Sequence, residues 1–205
     1  MEIVIANKSH IIYSEIICKT IEEAAQVRGT GIAKRKPEYI ATKMENGNAV
    51  IALDGDKFAG FCYIEQWSHG KFVANSGLIV HPDYRNLGLA KQIKQVIFKH
   101  SREKFPDAKI FSITTGLAVM KMNSELGYKP VTFSELTTDQ TFWNGCQTCK
   151  NYDILQRTEQ KMCLCTGMLY NPNSEDNTPP KKIKEKSFKR LKSIKQALFL
   201  KNREK

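Results

Sequence analysis

The sequence predicts an α/β fold in a single domain. Three observations lead to this prediction: strand-like and helix-like segments alternate along the chain, two strand-like segments flank the hairpin signal Asp54-Gly55, and a further strand passes into an amphipathic helix near residue 88. With 205 residues, of which 41% are hydrophobic, the chain can bury one substantial core. A second full domain is therefore not expected.

The chain is predicted to begin with a strand and two helices. Residues 2–6 form a short apolar run, and residues 13–27 repeat apolar side chains at the spacing of one helix face. Gly29 ends this helix, and Pro37 suits the first turn of a second helix over residues 37–44.

Strands then outnumber helices toward the C-terminus. Strands at residues 49–53 and 57–67 flank the hairpin turn, and a strand at 72–80 leads into the helix that begins at Leu89. The remaining predicted elements are a strand, a helix and two strands, at residues 109–114, 118–126, 128–133 and 162–170. This order contains about seven strands.

The turn before Leu89 has the features of an anion-binding cradle. Gly88 and the small Ala90 let the backbone approach a ligand, and the free amides of the first helical turn point toward it. A helix start favours an anion, and the Arg85 guanidinium suits phosphate oxygens. We therefore predict a pyrophosphate site, called the cradle below, formed by Arg85, Asn86, Leu87, Gly88, Leu89 and Ala90.

The sequence around the cradle resembles that of a known family. The pattern R-x-x-G-x-A preceded by V-x-P-x-Y resembles the coenzyme A motif of the GNAT superfamily of N-acetyltransferases, and the segment ending S-E-L-G-Y resembles the terminal L-G-F of the family's next helix. The resemblance covers residues 1–170. It implies a mixed, mostly antiparallel sheet of about seven strands with flanking helices, and transfer of an acyl group from acetyl-CoA, or another acyl-CoA, to an amine.

The resemblance also implies residues for the chemistry. In the family, the strand before the cradle holds the pantetheine and a backbone amide polarises the thioester carbonyl; this strand corresponds to Leu78, Ile79 and Val80. A glutamate that is common on this strand in the family is absent here. Asn123 stands where many family members have a tyrosine that protonates the thiolate. The asparagine can still hydrogen-bond near the sulfur. Glu65, on the preceding strand, is our candidate base, with an exposed strand residue as the alternative.

The segment between the first two helices is a candidate acceptor site. It contains the three cations Arg28, Lys34 and Arg35 and no acid. In GNAT proteins the corresponding loop commonly borders the acceptor site, so these residues can bind a carboxylate of the acceptor or acyl group; a solvated charged face is the alternative.

The identity of the acceptor comes from a looser resemblance. Ile113-Thr114-Thr115 and the following helix resemble the N-acetylglutamate synthase branch, although the spacing from Thr115 to Gly127 departs from the usual synthase. The chain also resembles the N-acyltransferases that acylate glutamate for arginine biosynthesis. The expected reaction is therefore acetylation or succinylation of L-glutamate.

Four of the six cysteines lie close together in the sequence, as Cys146-x-x-Cys149 and Cys163-x-Cys165. The first pair has the spacing of a zinc knuckle, and the second pair, two apart on a predicted strand, would place both thiols on one face. One structural zinc held by all four cysteines is one interpretation. Reduced, packed cysteines are the other, since disulfides are disfavoured in the cytosol.

The net charge of +11 is concentrated at the C-terminus. Residues 181–205 contain eleven Lys or Arg and two Glu, giving +9, whereas residues 1–180 carry +2. A polar, proline-bearing stretch precedes this region, so we predict an acyltransferase domain over residues 1–170 and a linker with a basic amphipathic tail over residues 171–205. The tail can bind an acidic partner, RNA or anionic lipid, dock on the domain, or stay disordered.

Three function classes follow from these features. The start MEIVIANKSH has neither a basic leader nor a long apolar segment, so we expect a cytoplasmic protein without a membrane span. The leading hypothesis is an acyl-CoA-dependent N-acyltransferase acting on a small acidic amine. The alternatives are a protein that binds nucleic acid or an acidic partner through its tail, and a non-catalytic acyl-CoA-binding module, which the missing glutamate and tyrosine keep open.

Overall fold

A computed structural model describes residues 1–28, 35–174 and 177. In this part of the chain seven strands form one sheet with helices on both faces. The strands are β1 (Glu2–Ile5), β2 (Ala49–Asp54), β3 (Lys57–Trp67), β4 (Phe72–Val80), β5 (Lys109–Thr114), β6 (Lys129–Val131) and β7 (Thr166–Tyr170). The helices are α1 (Ser14–Arg28), α2 (Pro37–Glu45), α3 (Leu89–Lys104), α4 (Leu117–Glu125), α5 (Gln140–Asn144) and α6 (Tyr152–Arg157). None of the helices described is both long and apolar enough to cross a membrane.

The sheet is mixed and mostly antiparallel, as the resemblance implies. Its strand order is β1-β2-β3-β4-β5-β7-β6. β4 and β5 are parallel, with α3 as their crossover, and the other described neighbours are antiparallel. The parallel ladder is short: it runs from Phe72 opposite Lys109 to Ala74 opposite Phe111. Beyond this point β4 and β5 part, and we call the opening between them the fork.

Different helices cover the two faces of the sheet. α1 and α2 cover one face, called the front face below, with the buried side chains Ile17, Ile21, Ala24, Ile40 and Met44. α3 covers the opposite face, called the back face, with Leu89, Ile93 and Ile97. The apolar repeats of these helices are the reason that each can bury one stripe against the sheet.

The chain between β6 and β7 departs most from the sequence prediction. Residues 132–165 include α5 and α6, which were not predicted because helices of five and six residues are too short to show an apolar repeat. Tertiary packing stabilises this segment instead. Its buried side chains extend the front-face core beside Ala74 and Phe111, and they are Phe133, Leu136, Trp143 and Leu155.

The two strands that border this segment are shorter than predicted. β6 ends at Val131 because Thr132 and Glu135 form a capping box that starts a short 3-10 helix. β7 begins only at Thr166. Glu159 and Gln160 have positive φ, and Thr158 Oγ1 donates to the Met162 carbonyl at 2.7 Å, so the chain is still turning where the strand was predicted to start.

One cation is buried in the back-face core. Lys94 of α3 is only 2% exposed. Its ammonium donates to Asn75 Oδ1 at 3.3 Å and to the Tyr128 hydroxyl at 3.5 Å, and no carboxylate of the described chain pairs with it. Burial lowers the pKa of Lys94 to about 8, and the neighbouring Cys62 side chain opposes this shift.

We predict that Lys94→Met stabilises the protein at neutral pH. The pKa of Lys94 is about 8 in the fold against 10.5 ordinarily, so the unfolded chain binds more protons between these pH values. The burial penalty is therefore fully present below pH 8 and declines as the pH rises toward 10.5. Removing the charge should raise the free energy of unfolding by up to about 3 kcal/mol at pH 7.

Urea denaturation of the wild-type protein and of Lys94→Met, at pH 7 and at pH 9.5, measures this difference in the free energy of unfolding. The matched control is Lys99→Met, because Lys99 lies on the same helix but is exposed and pairs with Glu103. The control should change stability little at either pH. A Lys94→Met protein that is less stable than the wild type at pH 7, or a difference that does not shrink at pH 9.5, would contradict the prediction.

Candidate functional site

The fork opens the middle of the sheet to a ligand. In β4, Asn75, Ser76, Ile79 and Val80 pair with β3, and residues 112–114 of β5 pair with β7, but these two stretches do not pair with each other. Backbone amides and carbonyls at such an opening need partners from water or from a bound molecule. The strand predicted to hold pantetheine, Leu78 to Val80, borders this opening.

β4 contains a bulge within the fork. Phe61 pairs with Ile79 whereas Tyr63 pairs with Ser76, so β4 has one residue more than β3 over this interval. Gly77 has a φ of +64°, and a Cβ built on it would lie 2.3 Å from Tyr63 Cε1, so a glycine is required here. The extra residue of a bulge is left out of the ladder, which makes backbone groups near Gly77 available at the fork.

The cradle lies at the open end of the fork, between β4 and α3. Gly88 precedes α3 with a φ of +77°, and in the described structure no side chain caps this helix start. A Cβ on Gly88 would meet no atom within 4 Å. Arg85 Nε donates to the Val80 carbonyl at 3.2 Å, which holds the guanidinium at the end of β4. The uncapped amides and Arg85 therefore border an open space suited to an anion.

Glu65 lies on the front face at the closed end of the fork. It stands opposite Ala74, the last residue of β4 that also pairs with β5. Its side chain is 6% exposed and accepts a hydrogen bond from the Tyr39 hydroxyl, so the alternative of an exposed strand residue is wrong. Burial and then the charge of Glu65 raise the pKa of Tyr39, which keeps that hydroxyl protonated as the donor.

Two cations belong to the same front-face cluster. Arg35 Nε donates to the Tyr63 hydroxyl at 2.6 Å, and its guanidinium carbon lies 5.9 Å from the centre of the Tyr39 ring. Lys43 Nζ lies 4.7 Å from the centre of the same ring. Burial lowers the pKa of Lys43, and the charge of Glu65 opposes that shift. We call Arg35, Tyr39, Lys43, Tyr63 and Glu65 the acceptor cluster.

Sequence reasoning found Glu65 and Arg35 but missed the other members of this cluster. Tyr39 and Lys43 lie on α2 and Tyr63 on β3, so only the packing of α2 on the sheet brings them together. Two signals are present in the sequence: Tyr63 and Glu65 are two apart on a strand, and Tyr39 and Lys43 are four apart on a helix, so the members of each pair share one face. The other predicted acceptor residues are not placed: Lys34 lies outside the described residues, and so does the side chain of Arg28.

Asn123 is completely buried on α4. Its Nδ2 donates to Met168 Sδ at 3.7 Å, whereas its Oδ1 has no hydrogen-bond partner among the described residues. A buried amide oxygen without a partner is unfavourable. The Asn123 side chain can therefore accept a hydrogen bond from a ligand that reaches it, and its role near the sulfur stays a prediction.

The clustered cysteines do not form the predicted zinc site. Cys163 and Cys165 precede β7, so the prediction that both lie on one face of a strand is wrong. All four are free thiols, and burial and then the charges of Cys149 and Cys163 raise the pKa of Cys146 to about 11. Within residues 1–28, 35–174 and 177, no group of three or more His, Cys, Asp or Glu side chains is placed to hold a metal ion. The zinc interpretation is thus not supported.

Solved structures with the same fold include proteins that bind the predicted cosubstrate. The N-acetylglutamate synthase from Neisseria gonorrhoeae, complexed with coenzyme A and N-acetyl-glutamate, is 14% identical with a TM-score of 0.61. The match covers 84% of this chain and 35% of the synthase, so this chain spans about a third of that enzyme's length.

Two smaller proteins match over nearly their whole length. Rv2747 from Mycobacterium tuberculosis, in complex with CoA, is 13% identical with a TM-score of 0.58, and the match covers 83% of this chain and 99% of Rv2747. YncA from Salmonella typhimurium, with its cofactor acetyl-CoA, is 12% identical with a TM-score of 0.58, with coverage of 89% and 98%. At such low sequence identities, the structural similarity establishes a common fold and nothing more specific.

Sequence comparison identifies the family. A comparison with curated proteins finds no match. The family model described as Acetyltransferase (GNAT) family matches residues 19–122, which is about half of the chain. This match spans α2, the fork, the cradle and most of α4. The chain therefore belongs to the GNAT family of acetyltransferases.

Proposed function

We propose that this protein is an acyl-CoA-dependent N-acyltransferase that transfers an acetyl or succinyl group to the amine of a small acidic acceptor, with L-glutamate as the first acceptor to test. The observation that carries the proposal is the acceptor cluster at the closed end of the fork. It combines the Glu65 carboxylate, which can take a proton, with Arg35 and Lys43, which can hold a carboxylate. A place in arginine biosynthesis depends on this acceptor and stays a prediction.

The cosubstrate is proposed to lie along the fork. The cradle would bind the pyrophosphate, and the backbone of Leu78, Ile79 and Val80 would pair with the pantetheine amides. The thioester would then reach the bulge at Gly77. A backbone amide that donates to the carbonyl oxygen there would stabilise the developing negative charge, an effect worth about 3 kcal/mol.

The proposed reaction is direct attack of the acceptor amine on the thioester carbonyl. The C–N bond forms and the C–S bond breaks, so the bonding pair leaves on sulfur as the coenzyme A thiolate. The amine proton passes to Glu65, directly or through a water. Tyr39 donates to Glu65 Oε1, which orients the carboxylate and leaves Oε2 for the incoming proton.

The fold is compatible with an acidic acceptor. The Neisseria gonorrhoeae synthase shares the fold and is complexed with both coenzyme A and N-acetyl-glutamate. The two alternative functions, a non-catalytic acyl-CoA-binding module and a protein that binds through its tail, predict different results. A non-catalytic module would bind acetyl-CoA without releasing thiol in the presence of any amine, and a tail-dependent binding protein would lose its function with the tail.

We predict that Gly88→Trp weakens acetyl-CoA binding at least tenfold. The indole would fill the open space that the cradle offers to the pyrophosphate. The matched control is Gly47→Trp, because Gly47 also has positive φ and open space around its Cβ position but lies beside the far end of α3. Both variants carry similar backbone strain, about 1–2 kcal/mol.

Calorimetry with acetyl-CoA, supported by circular dichroism of each variant, distinguishes the two positions. The Gly47→Trp protein should keep wild-type affinity. Unchanged affinity in a folded Gly88→Trp protein would remove the cradle from the proposed site.

We predict that Arg35→Ala lowers kcat/KM for L-glutamate about tenfold or more. A hydrogen bond to a charged group contributes roughly 1.5–3 kcal/mol, and the Arg35 guanidinium, which donates to the Tyr63 hydroxyl, is proposed to make such a bond to the acceptor. The use of a neutral amine and the affinity for acetyl-CoA should change little. Arg157→Ala serves as the control, because Arg157 is an exposed arginine that pairs with Asp153 on α6.

The assay follows release of free thiol from acetyl-CoA and from succinyl-CoA. Separate assays of Arg28→Ala and Lys34→Ala test the other two predicted cations. If glutamate is acylated from neither donor, or if no substitution alters its use, the acidic acceptor is excluded and the general acyltransferase assignment remains.

We predict that a chain ending at Asn177 keeps its acyltransferase activity. Asn177 Nδ2 donates to the Asn171 carbonyl at 2.6 Å, and the Asn177 carbonyl lies against Gly127, so this end point preserves the contacts that follow β7. The truncation removes residues 181–205, which carry a net charge of +9. Any partner bound by that segment should be released as salt rises. Loss of acetyl-CoA binding on truncation would instead make the tail part of the catalytic unit.

A further inference from the structure

The closed end of the fork carries an ionisable side chain on each face. On the front face, Glu65 stands opposite Ala74. On the back face, the next residue of β4, Asn75, accepts a hydrogen bond from Lys94. A carboxylate and an ammonium thus lie near the same point of the sheet, the carboxylate on the front face and the ammonium on the back face.

Lys94 has a hydrogen-bond partner on the β4 side of the fork and another on the β5 side. Asn75 on β4 accepts from Lys94 Nζ at 3.3 Å and from the Tyr128 hydroxyl at 3.1 Å. Tyr128 follows α4 and precedes β6, so it reaches Asn75 from the β5 side of the opening. Asn75 Nδ2 in turn donates to Ser101 Oγ at 2.8 Å, which fixes the orientation of the amide. This buried network crosses beneath the closed end of the fork.

The groups that face Lys94 do not balance its charge. They are the hydroxyl and the ring face of Tyr128, the Asn75 amide and the Cys62 thiol of β3. Burial raises the pKa of Cys62 to about 11 and raises that of Tyr128, so both groups are neutral near pH 7. No carboxylate of the described chain pairs with Lys94. A buried cation with neutral partners is unfavourable until an anion comes near it.

We propose that Lys94 is a positioning residue that stabilises the coenzyme A thiolate released at the fork. This inference rests on the acyl transfer proposed above. The amine approaches from the front face, where Glu65 takes its proton, and the electron pair of the broken C–S bond stays on sulfur. Lys94 provides positive potential from the back face, because its ammonium is held at Asn75, the first residue of β4 beyond the ladder with β5. The surrounding apolar core strengthens this potential because it lowers the local dielectric.

The test uses coenzyme A and desulfo-coenzyme A, in which hydrogen replaces the thiol group. Calorimetry in two buffers with different ionisation enthalpies counts the protons released when each ligand binds to the full chain at pH 7.5. Free coenzyme A is mostly a protonated thiol at this pH. If Lys94 stabilises the thiolate, binding of coenzyme A should release up to about one proton more than binding of desulfo-coenzyme A.

Three variants separate this role from a structural one. Lys94→Met should abolish the excess proton release, and Lys94→Arg, which keeps the charge, should restore part of it. Lys99→Met, the exposed control on the same helix, should keep the full excess. In turnover, Lys94→Met should lower kcat about tenfold or more while KM for acetyl-CoA changes little, because the thiolate exists only after the C–S bond begins to break.

The outcomes distinguish this inference from the proposed function. Excess proton release that is lost in Lys94→Met and kept in Lys99→Met supports it. Binding of both ligands with equal proton release, or an unchanged excess in Lys94→Met, overturns this inference alone. Failure of both ligands to bind overturns the proposed function and this inference with it.

Discussion

The parting of β4 from β5 after Ala74 is the constraint on which the rest of the site depends. A parallel pair in the middle of a sheet would normally continue its ladder, yet here only three residues of each strand pair. The backbone groups left beyond that point must be satisfied by water or by a ligand. Because α3 follows β4 directly, the helix start and the cradle lie at the open end of the same gap. One interruption of the sheet therefore accounts for both the opening and the anion site that we propose beside it.

Tyr63 links the donor side of the site to the acceptor side. Its ring lies where a side chain at position 77 would be, so the bulge of β4 is possible only because that residue is Gly77. The hydroxyl of the same ring accepts from Arg35 at 2.6 Å. A shift of the bulge on ligand binding would move Tyr63, and with it the guanidinium that is proposed to hold the acceptor. One aromatic side chain therefore joins the bulge, where the thioester is proposed to lie, to the guanidinium that is proposed to hold the acceptor.

Features that are local in sequence could be predicted, and features assembled by packing could not. β3 and β4 have their predicted bounds, because long apolar runs next to a hairpin turn are a strong signal. The turn from β4 into α3 is contiguous in sequence and was predicted equally well, while its role as a pyrophosphate site stays a prediction. Tyr39 and Tyr63 meet only when α2 packs on β3, and nothing near Lys94 in the sequence shows that it faces the sheet. The prediction that Cys163 and Cys165 share one face of a strand was wrong for a related reason, since the turn after α6 keeps both residues outside β7.

The two buried charges beside the fork differ in their surroundings, and this difference limits what each can do. Glu65 accepts from Tyr39 and lies near Arg35 and Lys43, so it has a hydrogen-bond donor and two cations around it before any substrate arrives. Lys94 has only neutral partners near pH 7. A carboxylate beside Lys94 would make the fold more stable, but it would also cancel the positive potential at the back face. A group that must stabilise a charge appearing only during the reaction has to remain uncompensated until then, and lower stability of the resting protein is the expected consequence.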